Sequence, residues 1–116
     1  YMTPNYLQIR GIAKNIGVNV KELPLEEDLG WQWDINKLEH LVTNKTKMIV
    51  ICHPNNPTGS IVSLKNMKNI LDVAKKYDCW ILSDEVYRGA ELDGYECPSF
   101  FGSYEKTIVN AGLYKA

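Results

Sequence analysis

Three short apolar segments, each followed at once by polar or turn-forming residues, constrain the fold of this chain most. They occupy residues 48–52, 80–83 and 107–111. Short apolar runs bounded by turn signals are typical of strands that are buried on both faces of a parallel sheet. Segments with helical spacing of apolar residues precede the first strand and separate it from the second. This alternation predicts an α/β fold, a three-layer α-β-α arrangement around a mainly parallel sheet with right-handed crossovers.

The first quarter of the chain predicts one helix and one strand. Apolar spacing after Pro4 predicts a helix that ends near Gly17, where we expect a left-handed glycine cap. Residues 18–25 alternate between apolar and polar side chains, as a strand does, until Pro24 interrupts the pattern. Residues 26–33 are polar and contain glycine, which favours a loop.

Two further helices are predicted from their capping residues. Asp34 precedes a short segment with one apolar face, and Ser63 precedes a longer one, so each side chain can accept a backbone N–H at the helix start. The longer helix is expected to bury an apolar face and to expose Asn66 and Asn69 on its polar face. The expected apolar face comprises Leu64, Met67, Ile70, Leu71 and Ala74.

Composition excludes several classes of function. The 116 residues include 13 basic and 14 acidic side chains, for a net charge of −1, and these are mixed along the chain. No block of one sign would attract nucleic acid or a membrane surface, so neither partner is expected. No apolar run is long enough to span a bilayer and the first residues lack a signal-peptide pattern, so we expect one cytoplasmic domain.

The cysteines and histidines show no pattern of a metal site or a disulfide framework. Cys52, Cys79 and Cys97 are odd in number and have no C-x-x-C spacing. His40 and His53 lack the spacing of metal ligands or of a catalytic triad. No metal is expected, and we interpret these residues as structural.

Polar residues follow each predicted strand of the sheet. Residues 53–57 read H-P-N-N-P, residues 84–88 read D-E-V-Y-R, and residues 112–115 read G-L-Y-K. Because parallel strands end at one edge of a sheet, an amide, a carboxylate with a phenol, and a lysine are expected to converge there. This combination predicts a ligand-binding site at that edge.

These motifs resemble those of the class I/II aminotransferases of fold type I. N-N-P-T-G at residues 55–59 is followed by S-D-E-V-Y at residues 83–87, with P-N-Y at residues 4–6 before them and a lysine at the end. The resemblance covers nearly the whole chain. It implies that residues 1–116 are a central part of the large, pyridoxal-5'-phosphate (PLP)-binding domain of a homodimeric enzyme. It also implies transamination between an amino acid and a 2-oxo acid.

The resemblance implies a role for each matching residue. Asp84 would keep the pyridine nitrogen of PLP protonated, which makes the ring a better electron sink. Asn56 and Tyr87 would hydrogen-bond the phenolic oxygen of the cofactor, and Tyr6 would stack on its ring. Lys115 would form the internal aldimine with PLP and move the proton of the substrate α-carbon.

The chain departs from this family pattern in one place, and other interpretations stay open. Relatives commonly read S-x-S-K before the lysine, whereas Gly112 here has no hydroxyl for the cofactor phosphate. The resemblance implies that the main phosphate site precedes Tyr1 and that substrate-binding arginines follow Ala116, so we expect a fragment. The alternatives are a catalytically incompetent α/β fragment and a PLP-dependent lyase of the same fold.

Each site residue also has a purely structural interpretation. Asn56 could form part of an Asx-type turn, Tyr6 could be a core aromatic, and Lys115 could be an exposed residue at a frayed chain end. Asp84 and Glu85 could be ordinary solvated or helix-capping carboxylates.

Overall fold

The computed structural model describes residues 1–113, which form three α-helices, one short 3-10 helix and five strands. The helices are α1 (Leu7–Asn15), α2 (Ile35–Leu41) and α3 (Leu64–Tyr77), and the 3-10 helix covers Glu27–Leu29. The strands are β1 (Met2–Thr3), β2 (Leu23–Pro24), β3 (Met48–Cys52), β4 (Trp80–Asp84) and β5 (Thr107–Asn110).

A three-stranded parallel sheet forms the centre of the fold, in the order β3-β4-β5. Residues Ile49, Ile51 and Ile81 of this sheet are buried, as expected for strands covered on both faces. In the observed register Asp84, the last residue of the middle strand, lies beside Cys52 on one side and Asn110 on the other. The prediction of an α/β fold with a mainly parallel sheet is confirmed.

The predicted strand over residues 18–25 is wrong for most of its length. Only Leu23–Pro24 is a strand, and it pairs with the two residues of β1. Leu23 and Leu25 donate their N–H groups to Tyr1 and Thr3 across this pair, at 2.9 and 2.7 Å. Pro24 does not interrupt the pairing, because its nitrogen falls between these two bonds. The strand is short since the partner β1 is itself only two residues long.

The capping predictions are confirmed. Asp34 Oδ1 accepts the N–H of Asn36 at 2.9 Å, and Ser63 Oγ accepts the N–H of Asn66 at 3.1 Å. Gly17 follows α1 with φ at 81°, in the left-handed region where glycine is favoured.

Helix α3 buries most of the predicted apolar face and, in addition, part of its expected polar face. Met67, Ile70 and Ala74 are buried as predicted. Asn66 and Asn69 are buried, whereas Leu64 is exposed. The buried Trp33 explains this difference, because its indole N–H donates to Asn69 Oδ1 at 3.3 Å and its carbonyl accepts from Asn66 Nδ2 at 3.3 Å. An asparagine can be buried where a neighbouring segment supplies such partners.

No helix within residues 1–113 is both long and apolar enough to cross a membrane.

Candidate active site

Asp84 lies at the carboxyl end of β4 in the middle of the parallel sheet and is only 9% exposed. Its Oδ1 accepts the N–H of Val86 at 3.4 Å and the side-chain amide of Asn110 at 3.3 Å. Both distances are longer than the 2.9–3.0 Å typical of N–H···O bonds. Because a carboxylate offers about four acceptor positions, Asp84 has capacity for a further donor.

Asn56 and Tyr87 are brought together by the two loops that leave β3 and β4. Asn56 Nδ2 donates to the hydroxyl of Tyr87 at 3.4 Å, although 31 residues separate them in the chain. Both residues line a hollow of about 560 Å³ between these loops. The two polar groups therefore face one space at the same edge of the sheet as Asp84.

Asn55 ties the start of the chain to this edge. Its Nδ2 donates to the carbonyl of Pro4 at 3.1 Å and to Thr58 Oγ1 at 2.9 Å. Its Oδ1 is buried and has no partner among the described residues. Tyr6, two residues beyond Pro4, is 53% exposed just before α1. It is thus not a core aromatic, and its chain segment lies against the Asn56 loop.

Lys115 lies outside the described residues. The described part of the chain ends at residue 113. Just before this end, Gly112 lines a second hollow of about 490 Å³ together with Glu85 and Ser99. The assignment of Lys115 stays a prediction.

Glu85 is not the solvated carboxylate that the sequence left open. It is 2% exposed and accepts three hydrogen bonds. Its donors are Ser83 Oγ at 2.9 Å, the N–H of Phe100 at 2.9 Å and Ser99 Oγ at 2.6 Å. Glu85 therefore anchors the segment at residues 99–100 to the end of β4, directly after Asp84.

His53 is fully buried immediately after β3. Burial lowers its pKa, and the carbonyl of Pro98 opposes this effect as a hydrogen-bond partner. The thiol of Cys97 lies 3.2 Å from His53 Nε2, and burial raises the pKa of that thiol to about 12. A buried neutral thiol beside a neutral imidazole is not an activated nucleophile.

Sequence reasoning missed the buried contacts of Glu85 and His53, because several of their hydrogen-bond partners lie in residues 98–100.

Among residues 1–113 no group of three or more His, Cys, Asp or Glu side chains is placed to hold a metal ion.

Comparison with known proteins gives one consistent result. Residues 1–113 match the family model described as aminotransferase class I and II. The chain is 39% identical over 97 residues to an aromatic-amino-acid aminotransferase of Thermococcus litoralis, covering 81% of this chain and 25% of that protein. It is 33% identical over 116 residues to an aspartate aminotransferase of Pyrococcus abyssi, covering 97% and 30%.

Solved structures agree with these relatives. A PLP-dependent aminotransferase from Streptococcus suis superposes with a TM-score of 0.89 at 36% identity, covering 98% of this chain and 30% of that one. An alanine aminotransferase from Pyrococcus furiosus gives a TM-score of 0.88 at 32% identity, covering 97% and 29%. The chain thus spans less than a third of the length of these relatives. On the match over residues 1–113, it belongs to the class I and II aminotransferase family.

Proposed function

We propose that this chain, as part of a large domain, supplies the ring-binding side of a PLP site in an aminotransferase that transfers an amino group between an amino acid and a 2-oxo acid. The observation that carries this proposal is that the Asn56–Tyr87 contact joins the loops after β3 and β4 at the same edge of the sheet where Asp84 ends β4. Family membership supports it, since relatives named as aminotransferases share this fold.

The surroundings of Asp84 suit a pyridine nitrogen. The carboxylate is nearly buried, at the end of a strand that is hydrogen-bonded on both sides. Its long bonds to Val86 and Asn110 leave acceptor capacity for a protonated ring nitrogen. In this low-dielectric position a carboxylate holds such a proton more firmly than it would in water.

The Asn56–Tyr87 pair suits an anionic ring oxygen. An asparagine amide has two N–H donors and a phenol has one O–H donor. With Asn56 Nδ2 and the Tyr87 hydroxyl 3.4 Å apart, one oxygen beside them can accept a hydrogen bond from each. Bonds to a charged acceptor are stronger than bonds between neutral groups, so the pair would favour the anion.

Bound PLP would supply an electron sink for the bond that breaks at the α-carbon of the amino acid. The residues of this chain would position the cofactor ring and hold or move protons. Tyr6 would cover one face of the ring, Asp84 would hold the proton of the ring nitrogen, and the Lys115 amine would carry the proton between carbon atoms. A homodimeric assembly and a cytoplasmic location stay predictions from the sequence.

The test is to locate the lysine that takes the cofactor. The chain is incubated with PLP and reduced with borohydride, and the modified lysine is identified by peptide mass spectrometry. We expect Lys115 to be the main labelled lysine, and we expect Lys115→Arg to abolish this labelling. Lys106→Arg is the matched control, because Lys106 is engaged in an ion pair with Asp78 at 2.5 Å. This substitution should leave the labelling at Lys115 unchanged.

A second pair of variants tests the ring-binding side. Asp84→Asn should lower the extent of labelling at Lys115 about tenfold, since one charge-assisted bond is lost. Asp72→Asn, on the exposed side of α3 in an ion pair with Lys68, should leave it unchanged. Labelling spread evenly over surface lysines, or equal in both aspartate variants, would refute the proposed site.

A further inference from the structure

His53 connects three segments around Asp84. Its backbone N–H donates to the carbonyl oxygen of Asp84 at 2.9 Å. Its ring Nδ1 lies 2.9 Å from the N–H of Val62, and its ring Nε2 lies 2.7 Å from the carbonyl of Pro98. The ring also meets Phe100 edge-on, with centroids 5.8 Å apart. One buried side chain thus joins the loop after β3 to the segment before α3 and to residues 97–100.

These contacts fix the state of the imidazole. A backbone N–H can only donate, so Nδ1 must be the acceptor of the Val62 bond. A carbonyl can only accept, so Nε2 must carry the proton that reaches Pro98. The neutral form protonated on Nε2 satisfies both partners. The doubly protonated ring leaves the buried Val62 N–H without an acceptor, and the form protonated on Nδ1 leaves both Val62 and Pro98 without a partner.

Residues 99–100, on the far side of the His53 ring, hold Glu85, the residue after Asp84. Phe100 and Ser99 donate to the carboxylate of Glu85 at 2.9 and 2.6 Å. Asp84 is therefore held through its own carbonyl by His53 and through its neighbour Glu85 by the segment to which the His53 ring is bonded.

We propose that His53 is a positioning residue of the PLP site, which fixes Asp84 and the loop of Asn56 relative to each other through its Nε2-protonated ring. This inference rests on the proposed function. His53 begins the loop that carries Asn56, three residues further on. Its backbone N–H bonds the carbonyl of Asp84, and its ring ties this junction to Val62 and to residues 97–100. A shift of His53 thus moves both groups that face the ring of the cofactor.

The adjacent Cys97 does not offer a competing role for His53. The thiol is fully buried, and the Nε2 proton is directed at the Pro98 carbonyl at the shorter distance of 2.7 Å, against 3.2 Å to the sulfur. The imidazole has no lone pair left on Nε2 with which to deprotonate the thiol.

Three substitutions separate the two ring bonds. In His53→Asn the amide reaches the place of Nδ1 and can accept from Val62. In His53→Gln the longer side chain reaches the place of Nε2 and can donate to Pro98. His53→Phe keeps an aromatic ring and removes the hydrogen bonds to both Val62 and Pro98. His40→Gln is the matched control, because His40 is exposed on α2 and its ring bonds locally to the carbonyl of Asn36.

The first readout needs no cofactor. Long-range proton–nitrogen NMR spectra of the wild-type chain should show His53 protonated on Nε2, with His40→Gln identifying its signals. In His53→Phe, amide exchange at Val62 and at position 53 should quicken about tenfold, the cost of roughly one hydrogen bond. His53→Asn should restore protection at Val62 but not the signals of residues 97–100.

The second readout is the affinity for PLP, measured by equilibrium dialysis. We expect His53→Phe to bind about tenfold more weakly and one or both amide variants to recover part of the loss, with His40→Gln at the wild-type value. A folded His53→Phe variant with unchanged affinity and unchanged Asp84 and Asn56 signals would overturn the proposal. So would an Nδ1-protonated ring in the wild-type chain, a measurement that holds even if no variant folds.

The two proposals fail in different ways. A wild-type chain that does not bind PLP would show that these residues do not hold the cofactor without the rest of the large domain. The role of His53 in fixing Asp84 and Asn56 would still be decided by the amide exchange and the side-chain signals, which are recorded without cofactor.

Discussion

Asp84 and Glu85 are adjacent carboxylates at the end of β4 with opposite surroundings. Glu85 receives three hydrogen bonds from Ser83, Ser99 and Phe100, at 2.6 to 2.9 Å. Asp84 receives longer bonds, at 3.3 and 3.4 Å. Glu85 is engaged in holding the fold, whereas Asp84 has capacity for a ligand. Residue type alone does not reveal this difference.

Buried thiols make the stability of the fold sensitive to alkaline pH. Burial raises the pKa of Cys52 from 9.0 to about 11 and that of Cys97 from 9.0 to about 12. A group with a raised folded-state pKa contributes stability that is complete below its unfolded pKa and is lost as the pH rises through the folded value. We therefore expect the free energy of unfolding to fall from about pH 9 to about pH 12.

This prediction is measured by urea unfolding in the presence of a reductant, followed by tryptophan fluorescence. Cys97→Ala should weaken the pH dependence above about pH 9, because one titrating group is removed. Cys79→Ala is the comparison at a second buried thiol, whose pKa is likewise raised by burial. Equal unfolding free energies near pH 8 and pH 11 would contradict it.

At the scale of the elements, local signals predicted the structure well and distant partners did not. The caps at Asp34 and Ser63 and the three apolar strands were predicted because each signal lies within a few residues. The strand over residues 18–25 was mostly wrong, since its partner β1 offers only two residues to pair with. The burial of Asn69 and Glu85 could not be predicted, because Trp33 and Phe100 supply their partners from elsewhere in the chain.

The candidate site was predictable to a similar extent. Strand ends predicted Asn56, Asp84 and Tyr87 at one edge, and the structure shows Asn56 and Tyr87 in contact there. Their roles toward a cofactor stay predictions. The importance of His53 was hidden, since nothing within a few residues of it indicates the Pro98 carbonyl that lies 45 residues away.

Helix α3 depends on its cap for part of its stability. Ser63 Oγ accepts the N–H of Asn66 at 3.1 Å, and the 14-residue helix contributes Met67, Ile70, Val73 and Ala74 to the core. Ser63→Ala should lower the free energy of unfolding by about 1 kcal/mol, because one helix-start N–H loses its partner. Ser63→Asp should retain the wild-type value, since aspartate caps equally well. Chemical denaturation checks this, and equal destabilisation by both substitutions would contradict the capping role.

At the scale of the whole molecule, the apolar surface is unevenly covered. The core lies around β3, β4 and α3, whereas every residue of α1 is at least partly exposed. Ile12 in α1 and Ile16 just after its end are 55% and 74% exposed. They are neighbours, since the N–H of Ile16 donates to the carbonyl of Ile12 at 3.1 Å. Neighbouring exposed apolar side chains of this kind are typical of surfaces that associate.

We accordingly predict that the chain associates with itself through the α1 surface formed by Ile12 and Ile16. In sedimentation velocity, the average sedimentation coefficient should rise with concentration above the value for a 13.2 kDa monomer. The double substitution Ile12→Gln and Ile16→Gln should remove this rise, because it replaces the apolar contact with hydrated amides. Leu92→Gln is the control, since Leu92 is a fully exposed side chain in a loop outside α1. A single monomer boundary at all concentrations, or the same rise in the double variant, would show that α1 is not an association surface.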